Sequence, residues 1–338
     1  MKINYLAILK YLISFIIAIA IFAYLYQGQD VGKMFTDLLD VKIEWVLLSF
    51  FLSLLSHFCR AWRWSIMLKP LGYQVGLFRP FLAVMAAYFA NFILPRMGEV
   101  TRCTVLQRTN DVPFQQSFGA VIAERAFDLV CLIIVTILAI FLEFGRLESL
   151  LNDIFAGNAS QKSSKIPLIL GGILVFGGIV ALAIWFKFKE KIKQMTVYQK
   201  IIEILIGVKE GFISVLKLKS LDRNLFFFNT VAIWVLYFST GYVLFFALPE
   251  TAHLSMGCGL SALAMSGVAI VAPVQGGIGV YHYLISKTLI VYGIAEVSAK
   301  YFAFMAHNSQ TVLLIGVGSI CLVISLFVKK ISTPPFVA

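Results

Sequence analysis

A short apolar run that ends in charged residues is the feature of this sequence that most constrains its fold. Residues 81–94 form a run of 14 uncharged residues, and Pro95, Arg96, Glu99 and Arg102 follow it closely. A helix that spans a membrane needs about 20 apolar residues, so this run is too short to cross. The pattern predicts a re-entrant segment, which enters the membrane, breaks and returns, and which brings charged side chains to membrane depth.

A second short run has the same design in the other half of the chain. Residues 260–272 form a run of 13 uncharged residues that stops at Pro273, and Gly276, Gly277 and Gly279 follow. Two short, Pro/Gly-broken apolar segments in a polytopic protein indicate a transport site. The second segment would enter from outside and the first from the cytoplasm, as in an inverted repeat, although the two share only a Pro-x-x-Gly break. Two tilted crossings are the alternative for the second segment.

The composition indicates an all-α polytopic membrane protein. Apolar residues make up 60% of the 338 residues and charged residues 13%, and the mean hydropathy is +0.90, outside the range of soluble domains. We therefore expect a single integral membrane domain over residues 1–338, with about six full transmembrane helices and the two re-entrant segments. The full spans are predicted at residues 11–26, 45–68, 118–142, 166–186, 225–248 and 298–328.

The distribution of charge predicts the topology. If residues 81–94 enter and return, all but seven of the 28 Lys and Arg residues lie on the cytoplasmic side, whereas a full crossing would place the basic loop 187–223 outside. The positive-inside rule thus favours re-entrance and cytoplasmic N- and C-termini. The net charge of +11 then reflects loops that face anionic lipid, and we expect no nucleic-acid partner. Residues 187–223 are predicted to form an amphipathic helix on the cytoplasmic leaflet or a packed connector helix.

Ionisable residues inside a predicted span are the first candidates for a binding site. Glu124, Arg125 and Asp128 lie in the span 118–142, and Glu124 and Asp128 share a helix face because they are four residues apart. Such groups cost several kcal/mol at membrane depth unless they are paired or hydrated. In the structural alternative, which is compatible with a functional role, they pair with arginines that fix the first re-entrant segment: Arg63, Arg96 or Arg102.

Arginines beside the first break predict anion binding. Arg96 and Arg102 follow a broken helix, and a guanidinium binds phosphate through two parallel hydrogen bonds. Glu99 is expected to hold the Arg102 guanidinium or to accept a cationic head group. The four histidines lack metal-ligand spacing and no nucleophile signature is present, so we expect a transporter-like protein without a cofactor or a metal, and not an enzyme.

Taken together, these motifs resemble one membrane family. The pattern comprises Arg60-Ala61-x-Arg63-Trp64, Asn91-x-x-x-Pro95-Arg96-Met97-Gly98-Glu99-Val100-x-Arg102, Glu124-Arg125-x-x-Asp128 and Pro273-x-x-Gly276-Gly277-Ile278-Gly279-Val280. In this order it resembles the lysylphosphatidylglycerol synthase transmembrane region, the flippase-like domain of the multiple peptide resistance factors, over about residues 5–330. The resemblance implies a polytopic protein of the cytoplasmic (inner) membrane of a bacterium or archaeon, with re-entrant segments, that moves an amphipathic lipid between leaflets.

The sequence also departs from the family pattern. The spacing from Pro95 to Glu99 is one residue shorter than the common form, Gln275 stands where a second proline is frequent, and His282 stands where a glutamate is expected. We expect the protein to lack the soluble aminoacyl-transfer domain of the full synthases, and so we do not expect it to synthesise lysylphosphatidylglycerol.

Sequence and resemblance together predict a lipid translocase for a phospholipid or a lipid-linked head group. The alternatives are an accessory subunit that binds lipid or polyprenyl phosphate for a glycosyltransferase or an envelope-assembly partner, and an intramembrane transferase with Glu99 or Asp128 as base. The oligomeric state is not predicted. The candidate substrate-binding residues are Arg60, Arg63, Asn91, Arg96, Glu99, Arg102, Glu124, Arg125, Asp128, Gln275 and His282, and the candidate structural breaks are Pro95, Gly98, Pro273, Gly276, Gly277 and Gly279.

Overall fold

The computed structural model describes residues 23, 26–27, 41–94, 97–144, 213, 215–271 and 274–331. Within these ranges the chain forms eight α-helices and no strand. The helices are α1 (Ile43–Leu68), α2 (Phe78–Ile93), α3 (Gly98–Asn110), α4 (Phe114–Leu142), α5 (Ser220–Val243), α6 (Met256–Val271), α7 (Val280–Val291) and α8 (Glu296–Phe327). Three short 3₁₀ segments follow α1, α5 and α6, at Lys69–Leu71, Leu244–Ala247 and Gln275–Gly277.

Four helices are long and apolar enough to cross a membrane, so this is an integral membrane protein. They are Ile43–Leu71, Phe114–Leu142, Ser220–Ala247 and Glu296–Phe327, and they confirm four of the predicted spans. Each begins two to five residues earlier than hydropathy predicts, because polar residues ahead of the apolar run are already helical. The predicted spans at 11–26 and 166–186, most of the segment 187–223, and Pro95, Arg96 and Pro273 lie outside the described residues.

The two short apolar runs form two short helices, α2 and α6. The start of α2 and the end of α3 both lie against the C-terminal end of α8. Arg79 Nη2 donates to the Lys329 carbonyl at 2.9 Å, and Arg108 Nη1 donates to the Ser325 carbonyl at 2.8 Å. The α2–α3 pair is therefore a hairpin whose two ends lie at the same end of the bundle.

The α6–α7 pair is a second hairpin, and its two ends lie at the opposite end of the bundle. Ser261 near the start of α6 and Tyr292 after α7 share a hydrogen bond of 2.9 Å. At the tip, His307 Nε2 lies 2.9 Å from the Gly276 carbonyl oxygen. Because His307 is about 17 Å along the roughly 48 Å of α8, the tip stops well short of the far end.

The tips of the two hairpins meet inside the bundle. A Cβ atom added to Gly276 would lie 3.2 Å from the ring of Phe92, which is in the last turn of α2. The 3₁₀ segment at Gln275–Gly277 packs on α2. The breaks of the two short helices are therefore neighbours in space.

The ends of the bundle differ in charge. We call one of them the basic end, since it carries Lys69, Arg79, Arg108, Arg223 and Lys329. It is held by contacts such as the ion pair of 2.5 Å between Lys69 Nζ and Asp222. One apolar cluster around Trp64 and Phe226 packs near this end, and another around Phe245 and Phe302 packs near the opposite end.

Between these two clusters, α1 presents a buried polar face. Its members recur at helical spacing and are at most 6% exposed: Ser49, Ser53, Ser56, His57 and Arg60. The polar centre of the protein therefore lies inside the bundle and not at its surface.

We predict that close packing of α2 on α8 depends on Gly318. A Cβ atom there would lie 2.7 Å from the Met85 carbonyl oxygen and 2.9 Å from Phe89 Cβ. Gly318→Ala should lower the free energy of unfolding by about 1–3 kcal/mol, because backbone must shift to admit the methyl group. Thermal unfolding in detergent, monitored by size-exclusion chromatography, measures the change in melting temperature.

Gly316→Ala is the matched control on the same helix, since a Cβ atom there has no atom within 4 Å. Equal melting temperatures for the two variants would contradict the proposed packing.

Candidate functional site

The candidate site begins with two arginines on the buried face of α1. Arg60 is 4% exposed and Arg63 is 0% exposed. They are about 12 Å and 8 Å from the end of α1 at Leu68, so both guanidinium groups lie within the basic half of the bundle. The positive-inside rule places both arginines on the cytoplasmic side of the membrane, whereas the fold buries their side chains inside the bundle.

Two carboxylates of α4 neutralise these arginines. Glu124 Oε1 lies 2.8 Å from Arg60 Nε and 3.2 Å from Arg63 Nη2, and Asp128 accepts from Arg60 at 2.9 Å and from Arg63 at 2.7 Å. The prediction that Glu124 and Asp128 share a face is confirmed. Tyr237 is a further partner of Arg60, because its hydroxyl accepts a hydrogen bond from Arg60 Nη1 at 2.9 Å.

Arg102 of α3 joins the cluster from the first hairpin. Its Nη2 lies 2.7 Å from Glu124 Oε2, and its guanidinium lies 3.9 Å from the centre of the Trp64 ring. Glu124 is 0% exposed and contacts three arginines. The structural alternative, in which Glu124 pairs with Arg63 and Arg102, is therefore present; Arg96 lies outside the described residues.

Of the two roles considered for Glu99, the structure does not show the contact with Arg102, and the binding of a cationic head group stays a prediction. Glu99 Oε1 pairs with Arg125 Nη2 at 2.9 Å, because the Arg102 side chain turns towards α4 and Trp64. This outer pair is half-exposed, with Arg125 47% and Glu99 27% accessible. Arg125 also lies 3.9 Å from Asp128, which links the outer pair to the buried cluster.

A polar cleft opens beside the cluster. It is lined by Arg60, Val84, Ala87, Tyr88, Asn91, Gly98, Glu99, Arg102 and Arg125. Its empty volume is about 260 Å³ including the open mouth, and its enclosed part has room for about one water molecule. The cleft is therefore closed to a lipid head group in this conformation.

Asn91 and Gly98 build the wall of this cleft at the first break. The Asn91 Oδ1 atom accepts from the Gly98 backbone N–H at 2.7 Å, which satisfies a free donor at the start of α3. A Cβ atom at Gly98 would lie 2.6 Å from the Ala87 carbonyl oxygen. Only glycine allows this close approach, which supports its predicted role as a structural break.

Two guanidinium donors of the cluster are buried without a hydrogen-bond acceptor in the described part of the chain: Arg63 Nε and Arg102 Nε. Buried polar atoms normally have a partner. The Arg102 side chain also lines the cleft, so it offers a donor to an anionic group that enters there.

The second break forms a separate polar group around glycines and histidines. Gly276, Gly277 and Gly279 have φ values of 60°, 72° and 82°, which only glycine adopts readily. His282 is buried on α7, and its Nδ1 accepts from the Gly279 N–H at 3.2 Å. His282 and the backbone of Gln275 belong to this second break and not to the arginine cluster.

Sequence reasoning missed four residues that contact the predicted ones: Tyr88, Thr230, Tyr237 and His307. The three hydroxyl residues contact Arg60 or Arg63 from α2 and α5, and the sequence neighbours of the two tyrosines are apolar. His307 had been noted only as one of four scattered histidines. Its contact with the second break is visible only in the folded chain, where its Nε2 atom lies close to the Gly276 carbonyl oxygen.

No group of three or more His, Cys, Asp or Glu residues that could hold a metal ion occurs in the described ranges. The fold and the site thus define a helical membrane protein with a buried arginine–carboxylate cluster beside the first of two helical hairpins.

Comparison with known proteins gives the family. Residues 11–318 match the lysylphosphatidylglycerol synthase TM region, and the chain belongs to this family. A UPF0104 membrane protein of Methanocaldococcus jannaschii is 33% identical over 132 residues, which are 38% of each chain. Glycosyltransferase AglD of Haloferax volcanii is 23% identical over 294 residues, which are 77% of this chain and 46% of that protein. The matches thus cover less than half the length of either relative, and no solved structure matches.

We predict that Glu124 is the carboxylate on which the stability of the cluster depends. Glu124→Gln leaves three buried guanidinium groups short of one negative charge, and should lower the free energy of unfolding by about 3–5 kcal/mol. Thermal or denaturant unfolding in detergent measures the loss. Glu99→Gln is the control, because its partly exposed pair should contribute below about 1 kcal/mol. A Glu124→Gln variant as stable as the control would show that the cluster does not hold the helices.

Proposed function

We propose that this protein is a lipid translocase, which moves a phospholipid or a lipid-linked head group between the membrane leaflets. The observation that carries the proposal is the group of three arginines, Arg60, Arg63 and Arg102, buried beside a polar cleft within membrane-spanning helices. Charges at this depth are costly and usually serve a function. Family membership supports the same proposal.

The chemistry of the cleft suits a phosphate group. Four guanidiniums face three carboxylates in the described cluster, so its formal charge is +1 and a phosphate monoanion would neutralise it. Arg102 Nε supplies a donor that has no acceptor among the described residues. Arg125 and Glu99 at the mouth are accessible to the polar part of the head group.

The geometry of the hairpins supports their predicted re-entrance. Each begins and ends at one end of the bundle, and the two tips meet at Phe92 and Gly276. The hairpins enter from opposite ends, as an inverted repeat would. By the positive-inside rule the basic end faces the cytoplasm. A lipid taken up there would meet the first break before the second.

The described conformation is closed, so movement requires the cleft to open. Asp128 and the Glu99–Arg125 pair are the accessible parts of the cluster, with Asp128 17% exposed. An arriving phosphate would displace these carboxylates from the guanidiniums while Glu124 stays buried. Protonation of the displaced carboxylate offers one way to couple movement to an ion gradient.

The second candidate is a lipid-binding role without transport. It has two forms: an accessory subunit that only binds the lipid, and an intramembrane transferase that also catalyses a reaction on it. The similarity to glycosyltransferase AglD favours this candidate. In the accessory form, the same arginines hold a lipid-linked phosphate for an envelope-biosynthesis partner. In the transferase form, Glu99 or Asp128 acts as a base.

Movement of lipid between leaflets tests the first candidate. Proteoliposomes with tail-labelled NBD-phosphatidylglycerol or NBD-phosphatidylethanolamine are treated with dithionite, which bleaches only the outer leaflet. The wild type should speed the loss of the inner signal. Arg102→Gln should slow it about tenfold, because a charge-assisted hydrogen bond is lost.

Arg223→Gln, at the basic end and outside the cluster, is the control and should behave as the wild type. A folded wild type that moves neither lipid would contradict the translocase. Retention of a co-purified lipid without movement would favour the accessory role, and a product formed from a lipid-linked sugar donor would favour the transferase.

A further inference from the structure

A second cavity lies between α5, α6, α7 and α8, and it differs in character from the polar cleft. Its empty volume is about 370 Å³ including the mouth, and aromatic side chains provide much of its wall: Tyr237, Phe238, Phe245, Tyr281 and Phe302. We call it the aromatic cavity. Its enclosed part is about 50 Å³, against about 10 Å³ for the polar cleft, so the mouth makes up most of the empty volume.

One guanidinium separates the aromatic cavity from the polar cleft. Arg60 Nη1 donates to the Tyr88 hydroxyl at 3.2 Å and to the Tyr237 hydroxyl at 2.9 Å. Arg60 and Tyr88 line the polar cleft, whereas Tyr237 lines the aromatic cavity. A group bound to Arg60 in place of these hydroxyls would therefore contact both spaces.

The aromatic cavity also has an opening towards the outside of the bundle. Gly241 lines the cavity and is exposed, and a Cβ atom added to it would have no atom of the described residues within 4 Å. A hydrocarbon chain could enter sideways from the lipid at this point, without passing through the polar cleft.

We propose that the aromatic cavity binds part of one hydrocarbon chain of a phosphate lipid, whose phosphate is held by Arg60 and whose head group enters the polar cleft once that cleft has opened. A phosphate lipid has its charge between a polar part and an apolar chain, and the protein offers a guanidinium between a polar and an apolar space. Before the hydrocarbon chain enters the cavity, it is surrounded by the tails of other lipids. Its transfer into the cavity therefore contributes little free energy, and packing against the aromatic rings supplies selectivity. This inference rests on the phosphate recognition proposed above but not on transport.

Photo-crosslinking of the reconstituted full chain tests the proposal. The probes are a single-chain alkyl phosphate and a two-chain phosphatidic acid, each with a diazirine in the first half of a chain, and the corresponding alkyl alcohol. Mass spectrometry should locate the cross-links of at least one phosphate probe at cavity residues of α5 and α6. The phosphate probe that labels more strongly identifies whether the bound lipid has one chain or two.

Variants on one helix provide the control. Ala262→Trp fills the cavity and should reduce this labelling at least tenfold. Val268→Trp places the same ring at a position of α6 that is 47% exposed, and should leave the labelling unchanged. If Ala262→Trp does not fold, Gly241→Leu, whose side chain meets open space, narrows the mouth and should have the same effect in a smaller degree.

Three results would overturn the proposal. They are labelling spread over the lipid-facing helix surfaces, labelling unchanged by both cavity variants, and equal labelling by the alcohol. Because the readout is the position of a bound chain, cavity labelling without lipid movement would support this inference even if the translocase proposal fails.

Discussion

The burial of Glu124 among three guanidinium groups is the interaction on which the arrangement of the helices depends. Its carboxylate contacts Arg60 and Arg63 of α1 and Arg102 of α3, while Glu124 itself belongs to α4. Hydropathy alone does not favour the burial of a short helix such as α3, which has Glu99, Arg102 and Arg108 among its 13 residues. The ion pair between Arg102 and Glu124 stabilises α3 inside the bundle. Loss of a buried partner is costly because the remaining charge stays buried, so the position of the first hairpin is fixed by electrostatics as well as by packing.

The cluster combines an inaccessible carboxylate with more accessible ones. Glu124 is fully buried against three arginines, whereas Asp128 is 17% exposed and Glu99 and Arg125 line the cleft. Under the function proposed above, these accessible carboxylates occupy the guanidiniums that the phosphate would bind. Exchange of a carboxylate for the phosphate would then keep the arginines paired, and so avoid the large cost of an unpaired charge in the membrane.

The sequence was sufficient to predict the described spans, both short helices and most members of the cluster, because hydropathy and helical spacing are local properties. It was insufficient wherever two partners come from distant segments. Glu99 and Arg102 are three residues apart and were expected to pair, but each finds a partner on α4 that no local pattern indicates. Tyr88 and Tyr237 contact Arg60 from two helices in which the neighbouring residues are apolar, so nothing in the sequence distinguishes them from tyrosines of the core. Gly276, Gly277 and Gly279 have the positive φ values that suit a break, whereas the contact of the second break with Phe92 depends on the tertiary fold.

The two breaks show how irregular backbone is accommodated inside a bundle of membrane helices. Every helix end leaves backbone donors and acceptors without partners, and membrane lipid cannot provide them. Here side chains do so: Asn91 accepts from the Gly98 N–H, His282 accepts from the Gly279 N–H, and His307 contacts the Gly276 carbonyl oxygen. Each break thus requires polar side chains at depth, and these lie beside the space between the hairpins. The polar head group of the proposed function would need the same polar surroundings. The side chains that stabilise the broken helices would therefore also lower the desolvation cost of a polar ligand at the centre of the bundle.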